Sequence, residues 1–552
     1  MLGHYGQKKD NEAMIFGQTA GLDSKPPAKT LPRGAVLALA LGIIWAVLAA
    51  LTLMPGGLTL TRHEGDAAHL AAAVLRLADG EWPHLNFMTP IGIGAFAPIS
   101  AFVAQGLGLG TAFLAAQAAV AALLLPALWW VGLSRFGGGW LGLGFGALAL
   151  SLTMALIYGG PEPAVSVSMH YNRWAWAVAF ILIAMALVPP ARPAPRIEGL
   201  ILGLGFAALA LTKATYFVGL APMALAALML RRDWAALAWA AGTGLAVVAA
   251  LTAALGMGYW AAYLGDLLTV AVSESRPHPG ATLSEILSGP THLATTLLLI
   301  GAVVVLRRSG QKEPGMVLLI ALPGFALITW QNFGNDPQWL PVLALSMLAL
   351  RPSGRVAQGH MMVALLAGAL FLPSVLNVAT SPIRLSAAWS DESVPLLPGL
   401  PRHDDFRVTT TRLDGLNVVV PHPATAEAPV ATFWGGTMPA CEMRSAAAEG
   451  YRRMAEEVAA AGFAGQRAFL ADIVQSLWLY GDVGRLPNGA PWYYGGLPGV
   501  RNAEIVVVPH CPSREHGRKR ALDALEEAAV PVREAFRGEF ATILTIAPPA
   551  ER

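Results

Sequence analysis

Residues 35–54 read Ala35-Val36-Leu37-Ala38-Leu39-Ala40-Leu41-Gly42-Ile43-Ile44-Trp45-Ala46-Val47-Leu48-Ala49-Ala50-Leu51-Thr52-Leu53-Met54, without a single charge. A helix of that length rises about 30 Å, the thickness of a bilayer's hydrocarbon core. A polar tail with Lys8, Lys9, Lys25, Lys29 and Arg33 precedes it. The stretch is too long for a signal-peptide core, so it reads as an uncleaved anchor. Eleven further apolar stretches follow, at about 91–108, 110–133, 139–158, 174–190, 199–212, 215–230, 234–255, 290–306, 315–331, 339–350 and 358–377. Composition agrees. Of 552 residues, 55% are hydrophobic and only 13% charged, against roughly 25% charged in soluble domains. This excludes a soluble enzyme and a disordered protein. A net charge of +2 leaves no electrostatic footprint for nucleic acid. Two cysteines exclude a disulfide scaffold and a four-cysteine zinc site.

The charges divide the chain. Residues 380–552 hold 17 basic and 20 acidic side chains, about half of all the charge. We read 1–33 as a cytoplasmic tail, 34–379 as a membrane domain with a large first outer loop at 55–110, and 380–552 as a soluble α/β domain. In that last part, β-type runs stand at 416–420, 430–434, 504–508 and 540–546, and helical patterns near 443–461 and 515–529. Cys441 and Cys511 both lie there, either paired or as two free thiols.

Orientation follows from the positive-inside rule. With the N-terminus inside and 91–108 not crossing, the inner loops carry Arg135, Arg192, Arg196, Arg231, Arg232, Arg307, Arg308, Lys312, Arg351 and Arg355. The outer loops carry Arg62, Arg76, Arg173, Lys213 and Arg276. Gly92, Gly94, Pro98, Ser100 and Gln105 make 91–108 a poor lipid-facing helix, so we expect it to be re-entrant or surface-lying. Eleven spans remain, which puts residues 380–552 in the periplasm of a Gram-negative cell, on its inner membrane. The short runs 199–212, 215–230 and 339–350 are tolerated only where protein or a polar cavity covers their ends.

The outer loops carry the candidate chemistry. The first reads Thr61-Arg62-His63-Glu64-Gly65-Asp66-Ala67-Ala68-His69. A carboxylate there can serve as general base on an acceptor hydroxyl or amine. With His63, Asp66 and Glu64 could also hold a divalent metal such as Mg or Mn. Alternatively, Asp66 caps the helix predicted at 67–78. The second outer loop, 159–173, offers Glu162, His170, Asn172 and Arg173, the last also a residue that could snorkel to the headgroups. Lys213 stands between two short apolar runs. An intramembrane lysine is paired, functional or snorkelling. It could hold the phosphate of a lipid-linked sugar. Arg276, in the long loop 256–290, could do the same. The last outer turn, with Asn332, Asn335, Asp336 and Gln338, suits hydroxyl recognition or forms a plain interhelical turn. The segment from Asp472 to Gly496 is either an acceptor surface or a loop packed on the membrane body.

Glu64-Gly65-Asp66 after the first span, followed by Thr89-Pro90-Ile91-Gly92, resembles the GT-C superfamily of membrane glycosyltransferases. Protein O-mannosyltransferases and lipid A aminoarabinose transferases belong to it. Their first outer loop carries an acidic pair and then a Pro-containing juxtamembrane segment; here a glycine splits the pair. The resemblance implies a polyprenyl-phosphate sugar donor and an inverting transfer to an unknown glycan, lipid or protein acceptor. Asp66 would be the catalytic carboxylate, with Glu64 second. Lys213, Arg173 and Arg276 would meet the donor phosphate. His63, His69, Glu162, His170, Asn172, Asn332, Asn335, Asp336 and Gln338 would line the substrate site. Two other classes stay open: a transporter or flippase of lipid-linked saccharides, and a non-catalytic envelope-assembly protein. No Walker A loop, nucleotide-sugar Rossmann fingerprint, Cys-x-x-Cys or His-Glu-x-x-His occurs.

Overall fold

With no charge to interrupt it, the first apolar stretch forms α1 (Arg33–Leu53), which stops before Pro55. The structure, a computed structural model, describes residues 32–158, 163–191, 193–273, 282–332, 337–413, 419–421, 432–433, 436–443 and 446–547. Glu162, Arg192, Arg276, Asn335, Asp336, the tail 1–31 and most of the runs expected at 416–420 and 430–434 lie outside the described residues.

The membrane body continues through α2 (Glu64–Ala78), α3 (Ala97–Ala104), α4 (Leu109–Ser134), α5 (Trp140–Met154), α6 (His170–Leu187), α7 (Pro195–Thr212), α8 (Ala214–Arg231), α9 (Trp234–Leu255), α10 (Gly258–Ala271), α11 (Leu283–Ser288), α12 (Pro290–Arg308), α13 (Lys312–Gln331), α14 (Leu340–Ala349) and α15 (Ala357–Ser390). Every apolar run expected to cross forms a helix. Seven described helices are long and apolar enough to span a bilayer: α1, α4, α7, α8, α9, α13 and α15. Helices α5 and α14, of 15 and 10 residues, are apolar but shorter. Helix α3, with eight residues, rises about 12 Å and cannot cross alone.

Helix α6 is the hub. Almost all of it is buried, from Asn172 to Leu187, and it packs on α4, α5, α7, α8, α13 and α14. Helix α9 is the opposite case: Leu245 is 67% exposed, as expected of a lipid-facing helix. Some arginines expected in inner loops are ion-pair partners, Arg135 buried and Arg231 partly so. Arg135 Nη1 donates to Glu198 Oε1 at 2.7 Å, joining α4 to α7. Arg231 pairs with Glu313 and donates to the Met185 carbonyl at 2.8 Å, joining α8, α13 and α6. A buried guanidinium needs such partners, because desolvation alone costs several kcal/mol.

Segment 91–95 folds over the end of α7. The Gly92 N–H donates to the Thr212 carbonyl at 3.2 Å. A Cβ at Gly92 would stand 2.1 Å from the Leu211 oxygen, so only glycine fits there.

Residues 55–110, expected to form the first outer loop, and the C-terminal part share one hydrophobic core. Strand β1 (Leu58–Leu60) lies in register with distant partners, unlike the local hairpin of β2 (Ile157–Tyr158) and β3 (Ala164–Val165). In the three-stranded sheet that contains β1, the other edge strand is β4 (Ser393–Pro395) and the centre is β5 (Phe406–Thr409). Leu58 pairs in parallel with Phe406, and Val394 antiparallel with Val408. Beyond these, β6 (Val419–Pro421) pairs with β9 (Cys441–Met443), and β7 (Thr432–Phe433) with β8 (Gly436–Thr437). The last sheet has the order β10 (Ala468–Leu470), β11 (Ile505–Pro509), β13 (Ala541–Ile546), β12 (Val532–Arg537), with β10 and β11 parallel. Helices α16 (Ala447–Val458) and α17 (Glu515–Glu527) accompany it. Cys441 and Cys511 are joined in a disulfide, which settles their pairing. The loop 486–494 packs on the first outer loop: the Met88 N–H donates to the Gly489 carbonyl at 3.1 Å, and the Asn488 N–H to the Asn86 carbonyl at 3.0 Å.

Candidate functional site

Two apolar helices, α7 and α8, meet at Lys213, whose backbone is extended at φ −152° and ψ 104°. The break turns a continuous apolar run into a corner that carries one cation. Its Nζ donates to Asn172 Oδ1 at 3.2 Å, to the Gln331 carbonyl at 3.4 Å and to Asn332 Oδ1. It lies 5.8 Å above the Tyr171 ring. Asn332 Nδ2 donates in turn to the Tyr216 hydroxyl at 2.8 Å. The corner therefore ties the start of α6, the start of α8 and the end of α13 together. Helix N-termini carry partial positive charge, so α6 and α8 add to the lysine's field.

Beside this corner a small cleft of about 60 Å³ opens between α5, α6, the turn that joins α13 to α14, and α15. Its polar wall is Ser168, Asn172, Arg173, Asn332, Gln338 and Asn377; Trp176 and Phe371 line its apolar side. Arg173 Nη2 donates to the Ile157 carbonyl, which anchors the guanidinium at the β2 turn. The Gln338 Oε1 atom is buried without a hydrogen-bond partner among the described residues. A buried orphan acceptor costs about 1–3 kcal/mol, a penalty that a ligand hydroxyl would remove.

Asp66 reaches the rim through a neighbour. Helix α2 begins at Glu64, so Asp66 is in its first turn and not its cap. The Ser168 hydroxyl donates to Asp66 Oδ2 at 2.6 Å. The Ser168 N–H donates to Ser166 Oγ at 3.0 Å, and that oxygen lies 3.2 Å from His63 Nδ1. Burial holds the His63 imidazole below its ordinary pKa, against the opposing pull of Asp66 and Glu64. Both His63 (φ 63°) and Met169 (φ 53°) occupy the left-handed region. Such residues cost about 1–3 kcal/mol each and cluster where the surrounding structure fixes a functional geometry.

The other expected residues point elsewhere. Glu64 is buried and paired with Arg412 Nη2 at 2.8 Å. His69 packs its ring 5.4 Å from Trp492. His170 is fully buried, with Nε2 2.9 Å from the Ala95 carbonyl. Among the described residues no group of three His, Cys, Asp or Glu is arranged to hold a metal ion. The donor set His63, Glu64 and Asp66 is spent on Ser166, Arg412 and Ser168, and does not form one.

Ser168, Tyr216 and Asn377 were not singled out from sequence. Asn377, the last residue of the apolar run expected at 358–377, left a signal, because an amide in such a run is expensive. Ser168 left none; it is one of two serines in a loop. No known protein family matches the chain, and no curated protein or solved structure proved similar to it.

Proposed function

We propose that the protein is a membrane glycosyltransferase of GT-C type, which moves a sugar from a polyprenyl-phosphate donor to an acceptor at the outer face of the cytoplasmic membrane. In this reading eleven helices cross the inner membrane, the N-terminus is inside and residues 380–552 are periplasmic. A disulfide between Cys441 and Cys511 is in keeping with an oxidising compartment.

One observation carries the reading. Candidates from three separate outer turns meet at one cleft: Asp66 through Ser168, the pair Asn172 and Arg173, and Asn332 with Gln338, while Lys213 binds two of the wall amides. This is the inventory a single displacement needs. A carboxylate receives the acceptor's proton, and cations stabilise the departing phosphate. Amides and an orphan carbonyl oxygen bond the sugar hydroxyls, and Trp176 and Phe371 offer apolar surface to the sugar and the first prenyl units. The ionisable groups sit at the end of the bundle where α5 ends and α6 begins, which suits chemistry at one face better than transport through the middle.

The test uses full-length protein in nanodiscs with polyprenyl phosphates bearing radiolabelled pentoses or hexoses, and the cell's own envelope fraction as acceptor source. Label should move to acceptor with release of polyprenyl phosphate. Asp66→Asn should slow this about 10²–10⁴-fold. If wild-type protein releases no polyprenyl phosphate from any of these donors, the reading is lost. Movement of intact donor across vesicles would favour a flippase instead.

A further inference from the structure

Resting on that reading, we infer that Ser168, not Asp66, touches the acceptor, and that the two form a proton relay. Ser168 is 1% exposed and lines the cleft, whereas Asp66 is half-buried behind it and does not. A serine hydroxyl has one hydrogen and two lone pairs. That hydrogen is already given to Asp66 Oδ2, at 2.6 Å. Toward the cleft Ser168 can therefore only accept, which is what an acceptor O–H or N–H requires. The backbone is held for this: the Ser168 N–H is fixed by Ser166 Oγ, and the next residue, Met169, is kept at φ 53°.

The step balances. As the acceptor oxygen bonds the anomeric carbon, its proton passes to Ser168 Oγ, and the serine's own proton passes to Asp66. The bond from the anomeric carbon to phosphate oxygen breaks, and its electron pair leaves with the polyprenyl phosphate toward Arg173 and Lys213. Asp66 then returns its proton to water. No covalent sugar–serine intermediate forms, so the transfer inverts.

The relay is tested by a double-mutant cycle in nanodiscs, with the radiolabelled polyprenyl-phosphate sugar as probe. Ser168→Ala and Asp66→Asn should each lower turnover about 10²–10⁴-fold, with donor KM within about twofold. Groups acting as one unit are non-additive, so the double variant should be no slower than the slower single. Ser168→Thr, which keeps the hydroxyl, should stay within about tenfold of wild type. Losses that multiply, or near-normal turnover in Ser168→Ala, would overturn the relay while leaving the transferase reading intact. Should Ser168→Ala fold poorly, a proton inventory on wild-type protein decides. Two protons in flight predict a curved dependence on deuterium fraction, and a straight line excludes the relay. A wild-type protein that turns over none of the donors would remove the relay together with the transferase reading.

Discussion

The Lys213 ammonium donates to Asn172 Oδ1 at 3.2 Å, across the break between α7 and α8. The contact ties the lysine to the amides of the cleft wall, so it is not a group that snorkels toward headgroups. Lys213→Met should weaken binding of polyprenyl phosphate to the protein in nanodiscs by about tenfold or more, the effect of one lost charge-assisted hydrogen bond of about 1.5–3 kcal/mol. Lys213→Arg should keep part of the affinity, because the charge persists with a different fork geometry. Unchanged affinity in the Met variant would assign the phosphate to Arg173.

Glu64 belongs to the scaffold in this structure. Its carboxylate is 5% exposed and its Arg412 partner 29% exposed. Glu64→Gln should lower stability by about 1–3 kcal/mol, less than the 3–5 kcal/mol of a fully buried pair because Arg412 is partly hydrated. Turnover per folded molecule should stay near wild type. Thermal unfolding followed alongside transfer rate separates the two effects.

His63 gives a pH signature. Its folded-state pKa lies below the ordinary value of 6.5, chiefly through burial. The unfolded chain therefore binds the proton more readily than the folded one. Stability should be complete above about pH 6.5 and fall as pH drops from there through the folded-state pKa. His63→Gln should flatten that part of the profile. The measurement is midpoint temperature against pH for both proteins; parallel curves would remove His63 as the source.

Gly92→Ala tests the cover over α7. The new methyl would stand 2.1 Å from the Leu211 oxygen, so segment 91–95 must lift. We expect a loss of about 1–3 kcal/mol, as for other overpacked sites, with donor affinity reduced because the corner at Lys213 moves. Gly144→Ala is the control, since nothing lies within 4 Å of a Cβ there.

Reduction probes the C-terminal part. Removing the Cys441–Cys511 link, with a sequence separation of 70, should cost about 2–5 kcal/mol. A reductant should lower the melting temperature of the C-terminal part and leave the helical signal of the bundle in place. Loss of both together would mean that the two unfold as one unit.

Much of the bundle could be read from sequence because length and apolarity are local properties. Each run from 35–54 to 358–377 formed a helix over at least part of its length, and 91–108 gave only the eight-residue α3 and a short 3₁₀ turn. Lys213 was visible for the same reason, as a charge amid apolar neighbours. The three-residue strand β1 was not legible, because its partner β5 comes more than three hundred residues later. Ser168 was hidden in another way: its role depends on Asp66 standing opposite it, and no spacing rule links a loop serine to an acid a hundred residues earlier. The contacts of Glu64 and His170 were not legible either, because an acid or imidazole looks the same in sequence whether it meets Arg412, a carbonyl or a substrate.

The parallel ladder between β1 and β5 also sets an order of assembly. Leu58–Leu60 leave the ribosome long before Phe406–Thr409 exist. Until then the growing chain has helices enough to sit in a membrane, but an open strand edge and an uncovered α2 beside it. Asp66, two residues into α2, gains its final surroundings only when the last third of the chain has arrived. A half-made molecule therefore keeps that edge open, and a truncation between the end of α15 and residue 406 should leave a protein that inserts without closing the β1–β5 ladder.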